Sequence, residues 1–153
     1  MGVPIRGRNR AHAPQCRIAA VLRSHDEPTP KASRRVVRGR WRNRNNARAV
    51  AFVATGHLDD ARRERKAFER ARARLPEGAF FGNNASADLL AVAEKVMDGE
   101  IAFRSGEREA GLALLAEAVS REDALRYDEP RDWIQPARHP LGAALLQAGK
   151  AAE

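Results

Sequence analysis

Gly99-Glu100-Ile101-Ala102-Phe103-Arg104-Ser105-Gly106 and Gly142-Ala143-Ala144-Leu145-Leu146-Gln147-Ala148-Gly149 share one frame, two glycines seven residues apart. The second stretch begins 43 positions after the first. A small residue inside a helix lets a neighbouring helix approach closely, and glycine just past a helix end relieves the left-handed turn there. The spacing therefore predicts an all-α chain of repeated helix pairs. Gly99 and Gly142 are packing positions in it, and Gly106 and Gly149 are helix ends. Helical arrays of this kind serve mainly to hold partners.

Working outward, the clearest helix is the one that ends at Ser105-Gly106. Leu90, Ala93, Met97 and Ile101 recur on one face, Leu89, Val96 and Phe103 widen it, and Ser86 is the expected N-cap. A fourth helix is expected from Glu107 to about Leu125, burying Leu112, Leu115, Ala118 and Val119. Tyr127-Asp128-Glu129-Pro130-Arg131-Asp132-Trp133 forms a connector. A fifth helix begins between Pro136 and Leu141 and ends near Gly149, with Pro140 either opening or kinking it. Upstream, a first helix is expected from about Ala47 to Thr55, closed by Gly56. A second runs from Leu58 to Leu75, with most of its surface facing water. Pro76 to Ser86 is a loop, and no run of β-branched or aromatic residues is long enough for a convincing strand. Lys150 to Glu153 would open a sixth helix, so the chain is expected to stop inside a repeat.

Aligned on glycine, Ala49 stands before Gly56 as Gly99 stands before Gly106. Gly111, Leu115 and Ala118 follow Gly106 as a small–large–small face. After Gly56 the corresponding first residue is Ala61, which fits, but Arg65 replaces the large apolar one. The periods are 43 and 50 residues, against about 34 in a tetratricopeptide array.

Three stretches resemble the C-terminal region of a group of bacterial tetratricopeptide-repeat (TPR) proteins. They are Phe81-Gly82-Asn83-Asn84, Glu122-Asp123-Ala124-Leu125 through Tyr127-Asp128-Glu129-Pro130 to Trp133, and Arg138-His139 before Leu141-Gly142-Ala143. Gly99-Glu100-Ile101-Ala102 fits as well, and the resemblance covers roughly residues 47–153. Arg131 stands where a second proline is usual, and Pro140 where a helix former is usual. The resemblance implies a short α-solenoid of about five helices in TPR-like antiparallel pairs and a general role as a scaffold, with no reaction. Members of the group are longer, so the chain resembles a C-terminal fragment, and a fragment without independent function is one expectation.

Charge divides the chain. Residues 1–46 hold 12 Lys/Arg against Asp26 and Glu27, while residues 47–153 hold 16 basic and 18 acidic side chains. Four of eight prolines precede residue 31, and apolar residues in 1–46 show no sustained period. Such a segment buries too little apolar surface to offset the entropy of ordering it. Residues 1–46 are expected to be a disordered Arg-rich segment before a folded unit over 47–153. The single Cys16 suits a reducing compartment, and Ile18-Ala19-Ala20-Val21-Leu22 is too short for a signal core or a membrane span. A cytoplasmic location is expected.

No phosphate loop, nucleophile elbow, triad or zinc spacing is present, so neither catalysis, cofactor nor metal is expected. The acids Glu122, Asp123, Asp128, Glu129 and Asp132 have oxygen ligands suited to a hard cation. They interleave with Arg121, Arg126 and Arg131 and lack EF-hand spacing, so a charge-paired helix end is the better account. The expected function is binding of a protein or peptide partner through first-helix faces. Counted from Gly99, the groove positions are Ala93, Val96, Glu100, Phe103 and Arg104; counted from Gly142 they are His139, Ala143, Leu146 and Gln147. The rival expectation is RNA or other nucleic-acid binding through Arg34, Arg35, Arg38, Arg40, Arg42 and Arg44, with Trp41 stacking on a base.

Overall fold

The computed structural model describes residues 34–133 and 135–152, with side chains from Arg44 onward. The described chain is mostly helical: α1 (Arg34–Ala54), α2 (Leu58–Arg72), α3 (Ser86–Arg104), α4 (Arg108–Asp123) and α5 (Arg138–Gln147). A minimal antiparallel ladder, β1 (Phe80–Phe81) and β2 (Asn84–Ala85), lies between α2 and α3 and pairs Phe80 with Ala85 and Phe81 with Asn84. The expected loop thus contains a hairpin too short to leave an alternating pattern in the sequence.

The first helix starts at Arg34, earlier in the chain than the Ala47 expected for it. Residues 31–46 contain no proline, and arginine is a good helix former. The anchor is polar, which an apolar-period reading misses. Asn46 Nδ2 donates to the Ala93 carbonyl of α3 at 2.8 Å. Arg48, which is buried, pairs with Glu64 of α2 at 2.8 Å. Residues 1–33 lie outside the described residues.

Helices α1, α3 and α5 end in the same hydrogen-bonded turn. Gly56, Gly106 and Gly149 take positive φ of 79°, 98° and 77°. The amide after each glycine donates to the carbonyl five residues back: His57 to Phe52 at 2.9 Å, Glu107 to Ala102 at 3.0 Å, Lys150 to Leu145 at 2.9 Å. Each glycine N–H bonds the carbonyl three residues back, at 3.1, 3.3 and 3.2 Å. These paired bonds satisfy carbonyls that a helix end would otherwise leave unpaired. The expected helix ends at these glycines are therefore observed.

Helix α3 is central and packs against α1, α2, α4 and, more lightly, α5. Leu89, Leu90, Val92, Ala93, Val96 and Met97 join Ala49, Phe68, Ala118, Trp133 and Ala137 in the main core. A second cluster joins Phe103, Leu112, Leu115 and Ala144, with Leu141, Leu145 and Ala148 against it. Burying a residue such as Met97 or Leu115 stabilises by about 1.5–3 kcal/mol. Ser86 is the first residue of α3, not its N-cap; its N–H bonds the Ala79 carbonyl at 2.8 Å, so the hairpin seals this helix start. Pro140 is the third residue of α5, where its missing N–H breaks no intrahelical bond.

Helix α2 faces water less than expected. Arg65 donates to Asp98 at 2.5 Å and to Glu94 at 2.7 Å on α3, and Arg72 also pairs with Glu94. The hydrogen bond to Asp98 holds the Arg65 pKa above its usual value against the opposing effect of burial.

The tightest joint is α3 on α4. A Cβ on Gly99 would stand 2.7 Å from Leu115 Cγ and 3.1 Å from the Gly111 carbonyl. One on Gly111 would stand 2.6 Å from the Phe103 backbone nitrogen and 2.7 Å from its Cβ. Helix backbone cannot yield as a side-chain tip can. Gly142 meets nothing within 4 Å. We expect Gly111→Ala to destabilise by about 2 kcal/mol through overpacking. Gly142→Ala should stabilise by up to about 1 kcal/mol through helix propensity. Urea melts of the two variants check this, and equal shifts would show that the two glycines do not differ in packing.

Candidate functional site

The repeated helix ends give a common ruler. Seven and three residues before the terminal glycine stand Ala49 and Val53 in α1, Gly99 and Phe103 in α3, and Gly142 and Leu146 in α5. The first four are buried. In the first joint α2 packs on α1, with Ala61 and Phe68 on its buried face. In the second, Gly111 and Leu115 of α4 close on α3. In α5, Leu146 is 68% exposed and the space over Gly142 is empty. Leu141, Ala144, Leu145 and Ala148 of α5 face inward, which turns His139, Ala143 and Leu146 to the opposite side of the helix, with Gly142 and Gln147 at its two edges. Between His139 and Lys150 there is no charged side chain. Such a face can bury itself against an apolar partner at little desolvation cost.

The expected groove residues separate. His139 and Gln147 are exposed and belong to this face of α5. Phe103 is corrected: it is 7% exposed, packed under Gly111, and offers no contact surface. Ala93 and Val96 are likewise core, because α1 and α4 cover the side of α3 that the register assigned to a groove. Arg104 is exposed and Glu100 half-buried, and both lie on α3, not on α5. Burial raises the Glu100 pKa above the usual carboxylate value, and the charge of Arg104 partly offsets it. Register counting could find Leu146 because it measures from the glycine that ends the helix.

The basic arm is helical in backbone from Arg34 through Arg44, and Arg44 is exposed. The side chains of Arg34, Arg35, Arg38, Arg40, Trp41 and Arg42 lie outside the described ones.

The acidic run is used for backbone and ion-pair contacts. Glu122 Oε2 accepts the Ala137 N–H at 2.6 Å, and Asp123 takes both guanidinium nitrogens of Arg138 at 2.7 Å. The hydrogen bond from Arg138 pulls the Asp123 pKa down. Among the described residues no group of three His, Cys, Asp or Glu side chains converges as metal ligands would, and no helix is long and apolar enough to cross a membrane. No family model matches the chain, and neither a curated protein nor a solved structure matches it.

Glu100 generates a pH prediction. Its pKa is raised in the folded chain, so the folded state binds the more protons between the ordinary value and the raised one. Stability attributable to this group therefore falls as pH rises through that window and is fully retained below it. Glu100→Gln should melt higher than the parent at pH 7 and lose that advantage on acidification below the usual carboxylate range. A melting difference independent of pH would show that Glu100 carries no such penalty.

Proposed function

We propose that the chain is a non-catalytic protein-interaction module built of tetratricopeptide-like antiparallel helix pairs. It holds a helical segment of a protein or peptide partner against α5. The reading draws support from the threefold recurrence of one helix end and from the small–large positions measured back from it. The observation that carries it is the open space over half-buried Gly142 and the exposure of Leu146 beside the burial of their four equivalents. A partner helix suited to this face has a small residue with leucine four positions on, as Gly111 and Leu115 have in α4. The small residue admits close approach over Gly142, and the leucine packs beside Leu146.

The test uses a peptide spanning residues 107–125, which carries that face, titrated into the isotope-labelled chain. Saturable shifts are expected at Gly142, Ala143, Leu146 and Gln147. Leu146→Glu should abolish them without altering the melt. Gly142→Ala should weaken binding about tenfold, or roughly 1.4 kcal/mol. Shifts centred elsewhere, or binding that survives Leu146→Glu, would exclude the α5 face as the interaction surface.

A further inference from the structure

The charge of α1 has no counterpart on its own helix. No acid stands between Glu27 and Asp59, whereas Arg34, Arg35, Arg38, Arg40, Arg42, Arg44 and Arg48 all fall on α1. Cations at the positive end of a helix dipole are unfavourable. So are like charges four residues apart, and Arg34, Arg38 and Arg42 recur at that spacing, as do Arg40 and Arg44. Neutralisation from outside the helix removes both costs.

The neighbouring helix adds to the charge. Arg48 of α1 pairs with Glu64 of α2, and the short turn at Gly56 makes the two helices antiparallel. Counted from that pair, residues 38–44 of α1 run level with residues 68–74, the end of α2 and its exit. On the outer side of α2, Lys66, Arg70 and Arg74 recur at four-residue spacing, and all three are exposed, as is Arg44. Among the described residues none of these four side chains joins an ion pair. The acids of α2 are already used: Asp59 by Arg62, Asp60 by Arg63, Glu64 by Arg48 and Glu69 by Arg65.

One end of the first helix pair therefore gathers arginines from two elements without acids to match them. A chain of phosphates suits it, because guanidinium forks take phosphate oxygens in pairs. The exposed positions from Arg62 to Arg74 include no large apolar residue, so the patch lacks the face that a membrane-surface helix inserts. Trp41 stands between Arg40 and Arg42 in sequence, and an aromatic ring among cations is a platform for an unpaired base.

We propose that the N-terminal half of α1 and the C-terminal half of α2 together bind a single-stranded nucleic acid along its phosphate backbone. Arg44, Lys66, Arg70 and Arg74 neutralise phosphates together with the arginines of residues 34–42, and Trp41 stacks on a base. The surface is separate from α5 and does not depend on the partner proposed there.

The experiment titrates a fluorescein-labelled oligouridylate with the full chain and follows anisotropy. Saturable binding is expected, with log affinity falling against log salt at a slope of roughly −3, as for about four phosphates on a single strand. Arg70→Gln combined with Arg74→Gln should weaken binding about tenfold and make the slope shallower by about 1.4. Both residues are exposed, so the thermal melt should not change. Trp41→Ala should weaken binding about fivefold at an unchanged slope, which marks a lost stacking contact and not a lost charge. Polyglutamate and phosphatidylserine vesicles at matched charge should compete poorly. No saturable binding, a slope near zero, full affinity in either variant, or equal competition by polyglutamate or vesicles would each overturn the proposal.

Discussion

The close crossing of α3 and α4 is the constraint on which the rest of the fold depends. Gly99 and Gly111 remove side-chain bulk from the two helix surfaces where they meet. Close approach then lets Phe103 fit beneath Gly111 and Leu115 settle beside Gly99. From this joint α3 reaches its neighbours on other sides, which explains why it is buried over so much of its circumference. A central helix of that kind has little amphipathic character, since it lacks one consistently wet face. Two core clusters flank this arrangement, one including Met97 and the other Leu115.

The joints between successive pairs solve one problem with two chemistries. Nine residues after Gly56 stands Arg65, and nine after Gly106 stands Leu115. Eight residues before Gly106 stands Asp98, and eight before Gly149 stands Leu141. Arg65 of α2 meets Asp98 of α3, whereas Leu115 of α4 and Leu141 of α5 share an apolar cluster. A partly buried ion pair tolerates little misalignment and leaves a costly charge if one partner is lost. An apolar joint is non-directional. The departure of Arg65 from the repeat pattern is therefore matched by a compensating departure on the facing helix. The two positions have to be read together.

Much of the helical frame was legible because its signals are local. Glycines at Gly56, Gly106 and Gly149 stop helices through backbone conformation alone, so their spacing placed three ends. What escaped depends on tertiary contact. Asn46 extends the fold backward through polar anchoring, which hydrophobic periodicity does not register. The ladder at Phe80 to Ala85 exists because Asn83 and Asn84 bind a connector more than forty residues away. Of the expected contact residues, His139 and Gln147 lie on the uncovered face of α5. Phe103 does not, because a groove position on α3 becomes core once α4 closes over it. Sequence register gives equivalence between helices, whereas exposure depends on which of them a neighbour has covered.

The central difference is that equivalent positions in α1 and α3 are sealed, whereas those in α5 are uncovered. Broadening of methyl resonances by a soluble nitroxide measures it most directly. The account predicts strong broadening of the Leu146 methyls and little at Val53 or Leu115, with Leu146 becoming protected once a helix peptide is bound. Leu146 methyls already shielded in the free chain, or left unshielded at saturating peptide, would contradict it.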